Sequence, residues 1–431
     1  MSSITRVAGC ASAILSPIVS PILLCSFAVA AGPPAGPLRL DDVLAMAREA
    51  NPEIHVARGR AKAAEYGPAQ ARAWDDPVLS WEAWNMPENF NIADAENSIF
   101  KVAQRIPFPG KRKLAAAAAG EEARAMARGV DTAVLDVDLA VKRAYWTLWR
   151  AHRRLGVYEQ ERAIAERVAR TAEGRYAAGG VPQADVLRAQ VGLTHAVTDA
   201  KTGELTVELA ESDLNVLLDR SPRAPLGTPV DPAPRMVPSD DAALVATALR
   251  ERPEVAVQEA TIAREQRTAE LARKALLPDV ELSVSRFINA GASDGFGAMA
   301  AVTLPIANKG KYDAAISQAN ARIVSAEADR RRIENVVRRD VEQAWLRLRT
   351  AALAHNLQAT THLPHAEITL QVTESGYTTG RVDLMALLDT VRELQMVHLE
   401  HVDSAAEIEV AWAELERAVG GPLPAAEVVH D

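Results

Sequence analysis

Cysteine is nearly missing. The 431 residues hold two, Cys10 and Cys25, and both fall in an N-terminal stretch that reads as a signal peptide, residues 1–30. Arg6 gives it a positive start, an apolar run extends from about Val7 to Phe27, and Ala28-Val29-Ala30 fits the small-x-small cleavage rule. Pro17 and Pro21 interrupt the run and argue against a membrane anchor, and Leu24 is too large for the position before a lipidated Cys25. Cleavage after Ala30 leaves a chain without thiols, which excludes disulfides, thiolate metal sites and cysteine nucleophiles together.

Long apolar runs are also missing. No later segment has the length and hydrophobicity of a membrane helix. An exported chain without one is either soluble or crosses a membrane as strands. Positive charge is in deficit, with a net charge of -9, so nucleic acid is not an expected partner. Catalytic motifs are absent too: there is no nucleophile elbow and no HExxH helix, which argues against an exported hydrolase and against any enzyme. Gly110-Lys111 fails as a phosphate loop because the earlier glycine would fall on Arg105. Nothing calls for a cofactor. Finally, no proline lies between Pro109 and Pro182. A helix over 111–176 would run ~100 Å at 1.5 Å per residue and must lie along partner helices.

What is there is a duplication. Pro52-Glu53 returns as Pro253-Glu254, and Tyr176, Gly179 and Val181 return as Tyr377, Gly380 and Val382, all 201 residues on. The first repeat spans 31–218: a helix of about 40–74, a hairpin at 77–106, a long helix at 111–176 and a second helix at 182–218. A proline-rich linker, 219–240, cannot form helix. The second repeat spans 241–420: a helix of about 241–276, a hairpin at 279–305, a long helix at 311–376 and a helix at 383–418. A tail, 421–431, follows. In the last helix Leu384, Leu387, Val391, Leu394, His398, His401, Ala405, Ile408, Trp412 and Leu415 alternate spacings of three and four, a heptad seam. The helix at 111–176 has two apolar rows, one through Val137, Val141 and Tyr145 and one through Leu139, Trp146 and Trp149, and so expects neighbours on two sides.

In the hairpins Leu79, Trp81 and Ala83 alternate with Ser80 and Glu82, and Val280, Leu282 and Val284 alternate with Glu281, Ser283 and Ser285. A half-buried soluble hairpin and a transmembrane barrel strand share this pattern. The aromatics weigh toward the barrel. After Ala30 the phenylalanines are Phe90, Phe100, Phe108, Phe287 and Phe296, all in or beside the hairpins, joined by Trp74, Trp81 and Trp84. Trp81, Trp84, Phe100, Phe108, Phe287 and Phe296 are the candidates for a membrane-interface girdle. Four strands cannot close a barrel, so several chains must contribute: two give 8 strands and three give 12. Pro107 and Pro109 then end strand pairing, Gly110 turns the chain, and Lys111, Arg112 and Lys113 start a helix near charged head groups.

The duplicated halves, QRIPFPGKR at 104–112 and LPHAEITLQVTESGYTTGRVDLMALLDTVREL at 363–394 resemble the TolC-type outer membrane efflux proteins, and most closely their heavy-metal and cation branch. The resemblance covers essentially the whole chain after the signal peptide. It implies a mainly α fold with a small β part: a long periplasmic α-helical barrel plus four strands per chain completing a 12-stranded trimeric transmembrane β-barrel. It implies a homotrimer in the Gram-negative outer membrane, acting as a passive exit duct. A periplasmic adaptor and an inner membrane RND-type transporter would be the partners. It also implies adaptor contact at the helical tips, here Gly179, Gly180 and Val181 with Gly380, Arg381 and Val382. Acidic rings inside the tip are implied as well. Asp389 matches one ring position, the other falls on Ala386, Asp185 holds the equivalent place in the first repeat, and Asp383 lies nearby. Cargo is expected to be heavy-metal cations; alternatives are drugs or other small organic molecules, or, for the whole chain, a soluble coiled-coil adaptor. His362 with His365, and His398 with His401, are each one helical turn apart. They are weak metal candidates, because Pro364 falls inside the first pair and the second sits on the seam.

Overall fold

A computed structural model of the chain describes residues 36–86, 88, 91–92, 95–289, 293–305 and 308–423. The signal peptide with Cys10 and Cys25, Phe90, and residues 424–431 of the tail lie outside the described residues.

Proline sets the element boundaries. The stretch expected as one helix over 40–74 is three: α1 (Leu40–Ala50), α2 (Pro52–Glu65) and α3 (Gly67–Arg72). The stretch at 241–276 is two, α6 (Asp241–Glu251) and α7 (Pro253–Lys274). Pro52 and Pro253 each open a helix and force the residue before them, Asn51 and Arg252, into extended backbone with ψ of 125° and 122°. Asn51 also accepts from the Glu53 amide at 2.9 Å and so caps α2.

With no such interruption, α4 runs from Lys111 to Ala177, 67 residues. It packs along α5 (Gln183–Leu217) and along α10 (Leu384–Val419). The second repeat departs from the expected single helix over 311–376. α8 (Lys309–Leu357) and α9 (Leu363–Thr378) are separated by one π turn, Gln358–His362. Pro364 has no amide hydrogen and its ring crowds the carbonyl four residues back, so the ladder widens there and Leu363 N–H donates to the Gln358 carbonyl five residues away.

Three apolar clusters hold the helices. One packs Val137, Val141, Tyr145 and Leu148 of α4 against Val43 of α1, Ile54 of α2 and Leu214 of α5. A second packs Val337, Val341 and Leu348 of α8 against Trp412 and Leu415 of α10. The third lies at the far end, where Val168 and Ala172 of α4 meet Tyr377 of α9 and Leu384, Leu387, Val391 and Leu394 of α10. The heptad seam is therefore the inward edge of α10.

The linker is pinned by the polar tips of buried aromatics. Tyr145 OH donates to the Leu38 carbonyl at 2.8 Å and accepts from Val230 N–H, Trp149 Nε1 donates to Asp231 at 2.8 Å, and Trp345 Nε1 donates to the Pro238 carbonyl at 2.8 Å.

The strands form one antiparallel sheet in the order β1 (Val78–Trp84), β2 (Asn97–Ile106), β3 (Asp279–Asn289) and β4 (Gly295–Thr303). β2 and β3 come from different repeats and pair over ten residues, Asn97 with Asn289 through Ile106 with Val280. Among the described residues β1 and β4 each keep one unpaired edge.

Candidate functional site

The register sorts the sheet into two faces. Opposed residues share a face, so Leu79 and Val102, Trp81 and Phe100, Val102 and Val284, and Leu282 and Ala300 lie on one side. That side is mainly apolar, with Gln104 and Arg286 on it toward the two ends of the sheet, yet open to its surroundings: Leu79 is 72% exposed, Val284 60% and Phe296 76%. Trp81 stacks on Phe100 with centroids 6.4 Å apart. The opposite side carries Ser80, Glu82, Lys101, Arg105, Glu281, Ser283 and Ser285. One face suits hydrocarbon and the other suits water.

The six girdle aromatics do not share one face. Trp81, Phe100 and Phe296 lie on the apolar side. Trp84 lies on the polar side and donates to Glu82 at 3.1 Å. Phe287 is also on the polar side, against Gly297. Phe108 is half-buried just past the end of β2. The reason is parity: Trp81 and Trp84 are three apart in one strand and must point oppositely.

At the sheet base one carboxylate joins the repeats. Asp279 accepts from Lys111 Nζ at 2.7 Å, from Arg105 Nη2 at 2.9 Å and from the Phe108 amide at 2.8 Å. The turn Pro107–Gly110 of the first repeat is thus held by the first residue of β3. Gly110 has φ of 93°, which opens α4 at an angle that a side chain would resist.

At the other end the two tips are built alike. Gly180 N–H donates to the Arg175 carbonyl and Gly179 N–H to Tyr176; Arg381 N–H donates to the Gly376 carbonyl and Gly380 N–H to Tyr377. Each is a Schellman closure with glycine in the left-handed region, φ 70° at Gly179 and 77° at Gly380. Val181 and Val382 follow, half-buried. Arg175 crosses between the tips: its Nη1 donates to the Tyr377 carbonyl at 2.6 Å and its guanidinium lies 4.8 Å over the Tyr377 ring. Burial pushes the Tyr377 phenol up, against the pull of Arg175. The sequence reading singled out the glycines and missed Arg175, whose partner lies 202 residues away.

The three candidate aspartates have different surroundings. Asp383 caps α10, accepting from the Ala386 amide at 2.8 Å. The Asp185 side chain is 17% exposed and sits 3.6 Å from Arg188. The Asp389 side chain is 68% exposed and its ion-pair partner among the described residues is Arg392, at 3.6 Å on its own helix. Asp389 lies opposite the inward seam of α10, on its exposed side.

His401 stacks on His355 of α8, centroids 4.9 Å apart at 19°; His355 Nδ1 lies in hydrogen-bond contact with Ser404 Oγ at 3.0 Å, and Ser404 Oγ donates to the His401 carbonyl. His398 faces Glu367 at 3.6 Å. Among the described residues no group of three or more His, Asp or Glu side chains is placed to hold a metal ion. His355 was not singled out from the sequence because its partner is on another helix.

Comparison with known proteins agrees with this geometry. The family model described as outer membrane efflux protein matches twice, over residues 43–218 and 244–421, one match per repeat. The chain is 24% identical over 397 residues to the cobalt-zinc-cadmium resistance protein CzcC of Cupriavidus metallidurans, covering 90% of this chain and 91% of that protein. Among solved structures, a membrane protein from Pseudomonas aeruginosa superposes with a TM-score of 0.77 at 20% identity, over 91% of this chain and 92% of that one. CusC gives 0.77 at 18% identity, over 89% and 92%. VceC of Vibrio cholerae gives 0.74 at 18%, over 89% and 96%. With an outward apolar sheet face, long antiparallel helices and a family match over both halves, the chain belongs to the outer membrane efflux protein family.

Proposed function

We propose that three copies of the chain close into one passive duct that releases heavy-metal cations across the outer membrane. The carrying observation is a four-stranded sheet with two open edges and an exposed apolar face. Open edges are not stable in hydrocarbon, and about eight strands are the minimum for a barrel. Three copies supply twelve. The helices support the same reading. α5 exposes Leu187, Val191, Leu205 and Leu209, and α8 with α9 exposes Leu353, Leu357, Ile368 and Val372. These two apolar stripes on opposite repeats fit head-to-tail contact between neighbouring copies.

The tip turns at Gly179–Val181 and Gly380–Val382 are the proposed seat of a periplasmic adaptor, with an inner membrane RND-type transporter supplying the energy. The metal cargo rests on similarity to a protein named for cobalt, zinc and cadmium resistance, and on the exposed Asp389, which three copies repeat around one axis. The cargo test is a deletion strain scored against divalent metals and, separately, against detergents and drugs. Metal sensitivity restored by the wild-type gene is expected. Sensitivity to drugs alone overturns the metal assignment and leaves the duct. A stable water-soluble monomer of the processed chain overturns the duct itself.

A further inference from the structure

The two helices that leave the sheet break a charge rule that most of the other helices keep. A helix N-terminus carries partial positive charge and favours acids. α1, α2, α5, α6 and α7 each have an acid in the first turn. α4 and α8 have none, as is true of α3, α9 and α10, but α3, α9 and α10 carry no lysine or arginine there and α10 has Asp383 as its cap. Their first turns hold Lys111, Arg112 and Lys113, and Lys309 and Lys311. Lys111 is accounted for by Asp279. Arg112, Lys113, Lys309 and Lys311 have no carboxylate partner among the described residues, and neither have Arg72 and Lys274 at the same level. Arg112 instead donates to the Arg72 carbonyl and lies 3.8 Å over the Trp74 ring, while Lys311 lies 5.6 Å from the Tyr312 ring.

This collar contrasts with the rest of the molecule. Elsewhere cations are commonly matched, as in Arg48 with Asp138, Lys142 with Glu416 and Arg154 with Asp403. The opposite rim of the sheet has the opposite sign, with Glu82, Glu88, Glu96 and Asp294 against Arg286. Both repeats supply the cations: Arg72 has Arg273 as its counterpart 201 residues on, and each long helix opens on lysines, Lys111 and Lys113 in the first repeat and Lys309 and Lys311 in the second. The collar lies where the exposed apolar face of the sheet ends and the helices begin. The acids at that level, Asp75, Asp76 and Asp313, form no ion pair with these cations among the described residues, so the unpaired cations beside exposed Trp74 are placed to meet an anion from outside the chain.

We propose that the collar binds the anionic headgroups of phospholipids in the leaflet that borders the helical wall. The proposal rests on the outer membrane reading and adds the lipid class and the residues that select it. The test is native mass spectrometry of the detergent-solubilised trimer, given phosphatidylglycerol and phosphatidylcholine in equal amounts. The wild type is expected to retain phosphatidylglycerol about fivefold or more over phosphatidylcholine, and to lose that preference in high salt. The variant Lys113→Gln/Lys309→Gln/Lys311→Gln is expected to stay trimeric, to conduct in planar bilayers, and to retain the two lipids equally. The matching Lys→Arg triple variant keeps the preference, and covers the case in which the glutamine variant does not assemble. Excess soluble glycerol phosphate leaves the retained lipid unchanged. A conducting wild-type trimer with no lipid preference overturns the collar and leaves the duct intact, as does a glutamine variant that keeps the preference. Displacement by glycerol phosphate overturns the assignment to lipid. A wild type that neither assembles nor conducts overturns both readings.

Discussion

At the scale of single residues, duplication has kept letters and changed their work. Pro52-Glu53 and Pro253-Glu254 read alike, and Glu53 is exposed. Glu254 instead accepts from Arg252 Nη2 at 2.9 Å and Arg417 Nη2 at 2.6 Å, while Arg417 also donates to Asp136 at 2.7 Å. Burial alone would raise the Glu254 pKa, but the two guanidiniums outweigh it and hold it at about 2, against 4.5 for a free glutamate. The folded chain therefore binds a proton at Glu254 less readily than the unfolded chain. The stabilisation is complete above about pH 4.5 and is lost as pH falls through about 2. Glu254→Gln is expected to cost roughly 3 kcal/mol at neutral pH and to flatten the acid dependence in that window. Thermal unfolding of the detergent-solubilised protein across pH checks this; parallel pH curves for wild type and variant would rule the network out. The repeated dipeptide was visible in the sequence. Which copy carried the network was not, because Arg417 is 163 residues from Glu254.

At the scale of elements, legibility followed the range of the cause. The heptad seam of α10, the tip glycines and the strand alternation are local periodicities, and the structure uses each of them. The opposed facing of Trp81 and Trp84 was also open to sequence reading, through their odd spacing. The π turn needed more: Pro364 signals a disturbance, but its form depends on what packs beside it. There the stacked His355 and His401 join α8 to α10, with His398 and Glu367 near, Gln358 donating to Glu400 at 2.9 Å, and the Arg154–Asp403 pair alongside. Burial lowers both His355 and His401, and repulsion from His355 and His398 adds to the shift at His401. The folded form thus stays neutral at a pH where the unfolded form is protonated, so this contact is strongest above about pH 6.5 and weakens as pH falls below it. The protection of amides over 355–362 and 398–404, taken relative to their intrinsic exchange rate at each pH, is expected to fall between about pH 7 and pH 5. His401→Phe keeps a stacked ring without a proton site and should weaken that dependence, leaving only the part that comes from His355. Exchange with the same pH dependence in both proteins would exclude the histidine pair as its cause.

At the scale of the whole molecule, the strand number was readable by counting, and the sheet has four strands with two unpaired edges among the described residues, which is what the proposed closure by other chains rests on. The lining of the aperture was less so, because it depends on which side of each helix the core takes. Leu384, Leu387, Val391 and Leu394 turn inward, so Asp389 is left on the far side of α10. Asp383 is occupied as a helix cap, and Asp185 is largely enclosed. In the proposed trimer, three Asp389 carboxylates would stand around one axis, where they attract cations and repel anions, and narrow low-dielectric walls strengthen the effect. Asp389→Asn is therefore expected to lower the cation-over-anion permeability ratio severalfold in planar-bilayer reversal potentials, with little change in trimer stability. Asp383→Asn retains a capping side chain and should leave both nearly unchanged, whereas Asp383→Ala should cost about 1 kcal/mol of stability through the lost cap and still leave selectivity alone. Unchanged selectivity in Asp389→Asn, or an equal loss in Asp383→Asn, would place the selective ring on other residues.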